Sequence, residues 1–286
     1  MNDHSVDGQP EQRIESTTPS RRSFIASGTT VATAALIGVG SASADDGFGS
    51  VSRTTRTLQA GTEYETTAYI GESGESGPTA VVVGGIHGNE LAGVEAAHNA
   101  REWEFDRGTL VVLPEANAPA VEEQTYSGPD GDLNQQFPSG EDPTTPIARE
   151  IWDLITEYDA DVVIDMHSSM GIWGSDLGPD GYGQAIFPSA AGNSRATAER
   201  VADCMNRNVI DDSYPEDYEY TLGNTLSGEH PRLIHKVAAD LEEAGYLTEV
   251  TRYETSLETQ TEWANALAGY LLREHGIETS YAANSL

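Results

Sequence analysis

The sequence predicts an α/β fold: a single domain over residues 53–286, with a mostly parallel, mixed sheet and helices on both faces. Three observations lead there. Short β-branched runs alternate with longer segments whose apolar residues recur three and four apart. The runs Val81-Val82-Val83, Leu110-Val111-Val112-Leu113 and Val162-Val163-Ile164 are apolar throughout, the pattern of strands covered on both sides. Strands joined by long helical crossovers run parallel, because a short hairpin cannot return the chain in the same direction.

Residues 1–44 read as an address rather than as fold. Ser20-Arg21-Arg22-Ser23-Phe24-Ile25 is a twin-arginine motif, residues 26–40 form a soft apolar core, and Ala42-Ser43-Ala44 is an A-x-A cleavage site before Asp45. The alternative is a retained anchor, but the apolar stretch is short for a membrane span. The expectation is export by the twin-arginine machinery, cleavage, no stable membrane span afterwards, and an extracellular or cell-surface location.

Residues 45–52 form a polar linker, residues 53–70 carry one or two strands, and 71–78 are a Gly-rich loop ending at Pro78. A strand over 80–84 leads into a helix over 89–104, and a second strand spans 109–113. Residues 117–143 form a long irregular segment, a length that points to function in a compact domain. A helix over 145–157 puts Ile147, Ile151 and Leu154 on one face, and strand 161–166 follows. Residues 171–192 form a Gly/Pro-rich loop carrying Trp173, Tyr182 and Phe187. Then come helix 194–208, an irregular stretch 211–230, helix 232–244, strand 246–251 and helix 256–273.

Charge narrows the function classes. The chain has 47 acidic and 15 basic residues, a net charge of −32, and its single lysine is Lys236. Such a surface repels phosphate, which argues against a nucleic-acid partner or an anionic membrane. Acidic excess with almost no lysine suits a halophilic protein, in which salt screens self-repulsion. The lone cysteine, Cys204, excludes an internal disulfide and is expected to pack in the core.

Chemistry concentrates where strands end. His87 and Glu90 follow Gly84-Gly85 at the end of a strand and stand three residues apart, with Glu90 near the first turn of a helix. In open α/β sheets that edge is where ligands bind, and an imidazole with a carboxylate makes two good zinc ligands. On the residues alone H-x-x-E is a short pattern, and His87 could equally cap or pack at the strand end. His167 also ends a buried strand, so both rings project from one sheet edge. Asp165, two residues earlier, could orient that ring or simply end the strand.

Further motifs occur in a fixed order: Gly84-Gly85-Ile86-His87-Gly88-Asn89-Glu90, then Asp132-Leu133-Asn134-Gln135-Gln136-Phe137-Pro138, then Asp165-Met166-His167-Ser168, then Tyr246-Leu247-Thr248-Glu249-Val250. In that order they resemble the succinylglutamate desuccinylase/aspartoacylase family of zinc deacylases, relatives of the zinc carboxypeptidases, over roughly residues 78–277. The resemblance implies one zinc ion per chain on His87, Glu90 and His167, a set of two histidines and one glutamate that leaves a position open for catalysis. It implies Glu249 as the acid/base that moves the proton of the attacking, zinc-activated water, with Glu254 as the fallback. It implies Asn134 as a substrate-binding residue. The expected activity is hydrolysis of an amide (N-acyl) or ester bond in a small acylated substrate.

The sequence departs from the family at two arginines. Gln135 stands where the family has arginine after the asparagine, and Gln124-Thr125-Tyr126-Ser127 lacks the upstream one. Arginine binds a carboxylate through two parallel hydrogen bonds and stabilises a developing oxyanion; glutamine does neither as well. A less charged acyl compound is therefore expected, with Gln135 and Tyr126 at the substrate and Tyr126 a donor to the carbonyl oxygen. Arg252, close to Glu249, is a substitute cation if strand alternation does not turn it away. The remaining readings are a zinc carboxypeptidase acting on peptides and a zinc-binding relative without turnover. Of the other histidines, His98 is expected to be buried and hydrogen-bonded on its helix, and His230 and His235 flank a helix start.

Overall fold

The computed structural model describes residues 48–284; the twin-arginine motif, the cleavage site and the start of the linker lie outside them. The described residues build one eight-stranded sheet in the order β1-β2-β4-β3-β5-β8-β6-β7. Its strands are β1 Ser52–Leu58, β2 Thr66–Glu72, β3 Thr79–Gly84, β4 Thr109–Leu113, β5 Val162–Ser169, β6 Ala185–Pro188, β7 Thr221–Leu222 and β8 Ala244–Thr251. The central strands β4, β3, β5 and β8 run parallel, while β1, β2 and β6 join antiparallel to their inner neighbours. The α/β expectation holds, with antiparallel additions at both flanks.

Side-chain alternation divides the core in two. Ala80, Val82, Ile164, Met166, Tyr246 and Val250 face a cluster shared with α1 (Leu91–Ala100), α4 (Ser194–Asn208) and α6 (Leu257–Glu274). Val81, Val83, Val163, Ala185, Phe187 and Leu247 face the other way, onto α3 (Pro146–Glu157) and the short α5 (Leu233–Lys236). A strand buried on both faces needs no polar alternation, which is why these runs read as uniformly apolar. Among the described residues no helix is long and apolar enough to cross a membrane.

Several boundaries differ from the sequence reading, each for a local reason. The first helix is shorter than 89–104: it spans Leu91–Ala100, with Glu90 at its N-cap. Residues 117–143 are not wholly irregular. Pro119 sits in the first turn of a short helix, α2 (Ala118–Glu123), which ends at left-handed Gln124, and Asp132 caps a 3-10 turn over Leu133–Gln135. The loop 171–192 contains β6, whose four residues are too few to show a period. Strand β5 runs on through His167 to Ser169, so that ring sits inside the strand rather than after it. Helix 232–244 stops early: α5 passes into a π-turn, Val237–Leu241, that ends at left-handed Glu242. A last helix, α7 (Ser280–Asn284), has no counterpart in the sequence reading. Cys204 is half-buried against the first cluster rather than enclosed.

Candidate active site

Three elements deliver the metal-type ligands. The turn after β3 carries His87, the N-cap of α1 carries Glu90, and the end of β5 carries His167. The two glycines of the turn have separate reasons. Gly85 has φ +69°, a left-handed backbone that side chains disfavour, and a Cβ on Gly88 would lie 1.9 Å from the Ala120 carbonyl of α2. All three functional side chains are buried.

Their inner atoms converge. His167 Nδ1 lies 3.2 Å from His87 Nδ1 and 2.8 Å from Glu90 Oε2, and His87 Nδ1 lies 3.0 Å from Glu90 Oε1. The ligand atoms of the set all fall within 4.8 Å of one another. Each imidazole also has a carboxylate at its outer nitrogen: Asp132 Oδ1 is hydrogen-bonded to His87 Nε2 at 3.2 Å, and Asp165 Oδ2 is 3.0 Å from His167 Nε2 as an ion pair whose geometry is not that of a hydrogen bond. An outer carboxylate favours the proton on the outer nitrogen, so each inner nitrogen can turn a lone pair to a cation; with no cation between them, Asp165 and Glu90 hold the His167 ring charged instead. Zinc bonds of about 2.0–2.1 Å in a tetrahedron set their ligand atoms about 3.3 Å apart. The observed spacings are close to that value, so this donor set fits the ion.

Asp132 is the neighbour that sequence reasoning did not single out, although it opens the D-L-N motif. It does two jobs: Oδ1 also accepts the Asn134 N–H at 2.9 Å and so caps the 3-10 turn. Asn134 is buried, and its Oδ1 accepts the Leu233 N–H at 3.3 Å. That bond uses the amide oxygen and leaves the amide nitrogen to donate. Lys236 anchors the same loop, donating to the carbonyls of Pro138 and Glu141 beneath the Trp152 ring.

Glu249 lies in an interior strand, not at an edge facing water. It is the register partner of His167 on one side and of Ala185 on the other. Its side chain is buried, and Oε2 has no hydrogen-bond partner among the described residues. Glu254 lies past the strand, exposed and at positive φ, and is no alternative.

The electrostatics separate the two glutamates. Burial by itself would raise the Glu90 carboxyl, but the charge of His167 and hydrogen bonds to both imidazoles lower it to about 2. Burial raises Glu249, repulsion from Glu90 adds to it, and the result is about 8. Burial opposes a charged His167, yet Asp165 and Glu90 hold it well above the usual imidazole range. Burial and the nearby Asp132 push the Tyr126 phenol up, so it keeps its proton at neutral pH.

The other predicted residues divide. The Tyr126 ring stacks on His87 at 3.8 Å and stays half exposed, at the rim of the cluster. Gln135 is exposed on the 3-10 turn, and no hydrogen bond joins its side chain to His87, Glu90 or His167 among the described residues. The Arg252 side chain turns to the sheet edge after β8 ends and donates to the Asn89 carbonyl at 3.0 Å, within reach of the Glu249 charge. A second cation emerges only in three dimensions. Arg232, the N-cap of α5, precedes the Leu233 that binds Asn134, and its charge acts on the Tyr126 phenol. Most arginines here are tied to acids, as Arg53, Arg56 and Arg200 are; the exposed Arg232 side chain has no such partner among the described residues. His98 is half-buried rather than buried, 2.9 Å from Glu115. His235 is buried against the Ser227 carbonyl and His230 is exposed.

Comparison with known proteins places these residues in context. Residues 76–174 match the model of the succinylglutamate desuccinylase/aspartoacylase catalytic domain. Over 100 residues the chain is 34% identical to the N-alpha-acetyl-L-2,4-diaminobutyric acid deacetylase of Halomonas elongata, covering 32% of this chain and 29% of that protein. The chain thus spans less than a third of that curated relative. Among solved structures, the tripeptide-bound cell shape determinant protein of Helicobacter pylori is similar at TM-score 0.62 and 18% identity, over 81% of this chain and 56% of that one. The product-bound ectoine utilization protein of Ruegeria pomeroyi is similar at 0.57 and 18%, over 80% and 68%. A succinylglutamate desuccinylase/aspartoacylase of Rhodobacter sphaeroides is similar at 0.51 and 18%, over 80% and 66%. At such identities the structural likeness concerns the fold.

Proposed function

We propose, from the premise that the chain belongs to the succinylglutamate desuccinylase/aspartoacylase family, that it is a zinc-dependent hydrolase of N-acyl amino acids. The observation that carries this reading is the convergence of the His87, Glu90 and His167 ligand atoms, with an outer carboxylate on each imidazole. When bound there, zinc supplies a lowered water pKa, near 7 in such sites, and polarises a carbonyl.

The remaining work falls to this chain's own side chains. Glu249 is buried with an unpartnered oxygen and is raised in part by the Glu90 charge; a cation held on Glu90 would offset that repulsion and leave Glu249 ionised, to take a proton from the attacking water and return it to the leaving nitrogen. Tyr126 keeps its phenolic proton and offers it as a hydrogen bond to the substrate carbonyl oxygen. The Asn134 amide nitrogen donates to a substrate oxygen. Arg232 takes over the role of the absent family arginines and pairs with the carboxylate of the amino-acid half. The chemistry named for the Halomonas elongata relative, deacetylation of an N-acetyl amino acid, is of this kind.

The test is a hydrolysis panel of N-acyl amino acids, dipeptides and simple esters, run with the zinc-loaded protein in concentrated salt. Cleavage of N-acyl amino acids, lost in Glu249→Gln with zinc retained, supports the reading. Preference for dipeptides would reassign the protein to peptide hydrolysis, and metal binding without turnover on any substrate would make it a binding relative. The twin-arginine segment carries the further proposal that the protein is exported and works outside the cytoplasm; a mature N-terminus at Asp45 by mass spectrometry tests it.

A further inference from the structure

Among the described residues the exposed large hydrophobic side chains are Tyr126, Met170, Tyr182 and Leu257. The first three surround the site: Tyr126 stacks on His87, Met170 follows the end of β5 directly, and the Tyr182 N–H donates to Ser169 Oγ at 2.9 Å. On a surface as acidic as this one, apolar groups gathered at a catalytic edge mark a binding surface.

Behind Tyr182 stand two more rings. Trp173 and Tyr182 stack with centroids 5.7 Å apart, and Phe187 meets both edge-on at 5.3 and 6.2 Å. Phe187 follows Ala185, the register partner of Glu249, by two residues, so it lies on the same sheet face as Glu249. Trp173 packs on the core cluster of that face.

The loop that carries the wall is tightly built. A Cβ on Gly171 would lie 1.8 Å from the Pro179 carbonyl oxygen, and one on Gly183 would lie 2.6 Å from Thr251 Cα on β8. Only glycine lets these backbones pass so closely. Residues 170–192 contain no lysine or arginine, and their charged residues are Asp176 and Asp180. The segment itself offers a carboxylate acyl group no cation, and Arg252, which donates its backbone N–H to the Ser169 carbonyl beside it, is tied by its guanidinium to the Asn89 carbonyl. Arg232 belongs with Tyr126 and Asn134: its charge acts on the Tyr126 phenol, and the next residue, Leu233, binds Asn134.

We infer that Met170, Trp173, Tyr182 and Phe187 form the acyl subsite, and that it takes an uncharged apolar acyl group larger than acetyl, aliphatic or aromatic. The inference rests on the hydrolase reading above. Its test compares N-acetyl-, N-hexanoyl-, N-phenylacetyl- and N-succinyl-alanine as substrates. The kcat/KM for hexanoyl and phenylacetyl exceeds that for acetyl by about tenfold or more, and succinyl falls below acetyl. Tyr182→Ala, at an exposed position, and Trp173→Leu each lower the hexanoyl-to-acetyl ratio about tenfold, mainly through KM. A flat acyl series, a succinyl preference, or an unchanged ratio in both variants overturns the assignment. Calorimetric titration with acetate, hexanoate and phenylacetate keeps the subsite testable without turnover. Tighter hexanoate binding that is lost in Tyr182→Ala supports it even if no N-acyl compound is cleaved, and equal binding of all three overturns it.

Discussion

Glu90 and Glu249 are the same residue type in one site, both buried, and they are held in opposite states. Glu90 sits at the head of α1 between two imidazoles and accepts the Ser168 N–H, and its carboxyl is lowered to about 2. Glu249 sits inside β8, beside His167 in the sheet, with one oxygen unpartnered, and its carboxyl is raised to about 8. An acid meant to hold a cation needs fixed partners for its charge; an acid meant to carry a proton needs those partners withheld. Under the proposed hydrolase reading, the lowered carboxyl would hold the cation and the raised one would carry the proton.

The comparison can be broken by experiment, beginning with the largest effect. His167→Ala removes a ligand from the Glu90 side, and the purified variant should lose its zinc by elemental analysis and its turnover with it. Glu249→Gln acts on the other side alone: zinc content stays at one per chain while kcat falls about 10²–10⁴-fold. Parallel loss of metal in both variants would erase the distinction. Asp165→Asn weakens the hold on the His167 ring from outside the cluster, and chelator competition should show about 10–100-fold weaker zinc binding.

The smallest effect is on the pH dependence of stability in metal-free protein. The folded Glu249 carboxyl lies above its ordinary value of 4.5, so its contribution is complete below about 4.5 and is lost as pH rises toward about 8. Glu90 lies below its ordinary value, so its contribution is present above about 4.5 and is lost as pH falls toward about 2. Denaturant titrations across pH should therefore show the Glu249→Gln variant flatter than the parent between about pH 5 and 8. Each proton accounts for at most about 1.4 kcal/mol per pH unit. A parent and a variant with identical curves would mean that burial does not perturb Glu249. Added salt should stabilise every variant by screening a net charge of −32; full stability at low salt would count against halophilic adaptation.

How much of this could be read from the chain differs between the two halves of the site. His87, Glu90, His167 and Glu249 each stand at or near the end of an apolar run that no other element could explain, so their shared sheet edge was legible. The contacts of Asp132 were not, because a carboxylate among so many others carries no period. Arg232 was likewise hidden, since it reaches the site from a helix start a hundred residues past Tyr126. The aromatic wall looked like loop packing until β6 appeared inside residues 171–192.

From the sequence by itself came the α/β layering, the zinc-type donor set and the lack of two arginines. The layering rests on periodicity and the donor set on residue type and local spacing, properties of the chain taken in order, while the missing arginines stand out only against the family that the motifs resemble. The tertiary structure alone decided which carboxylate touches which imidazole, that Asn134 is left as a donor, and that Trp173, Tyr182 and Phe187 pack on one another. Those outcomes depend on strand register and loop packing, where one residue of slip turns a side chain to the opposite face.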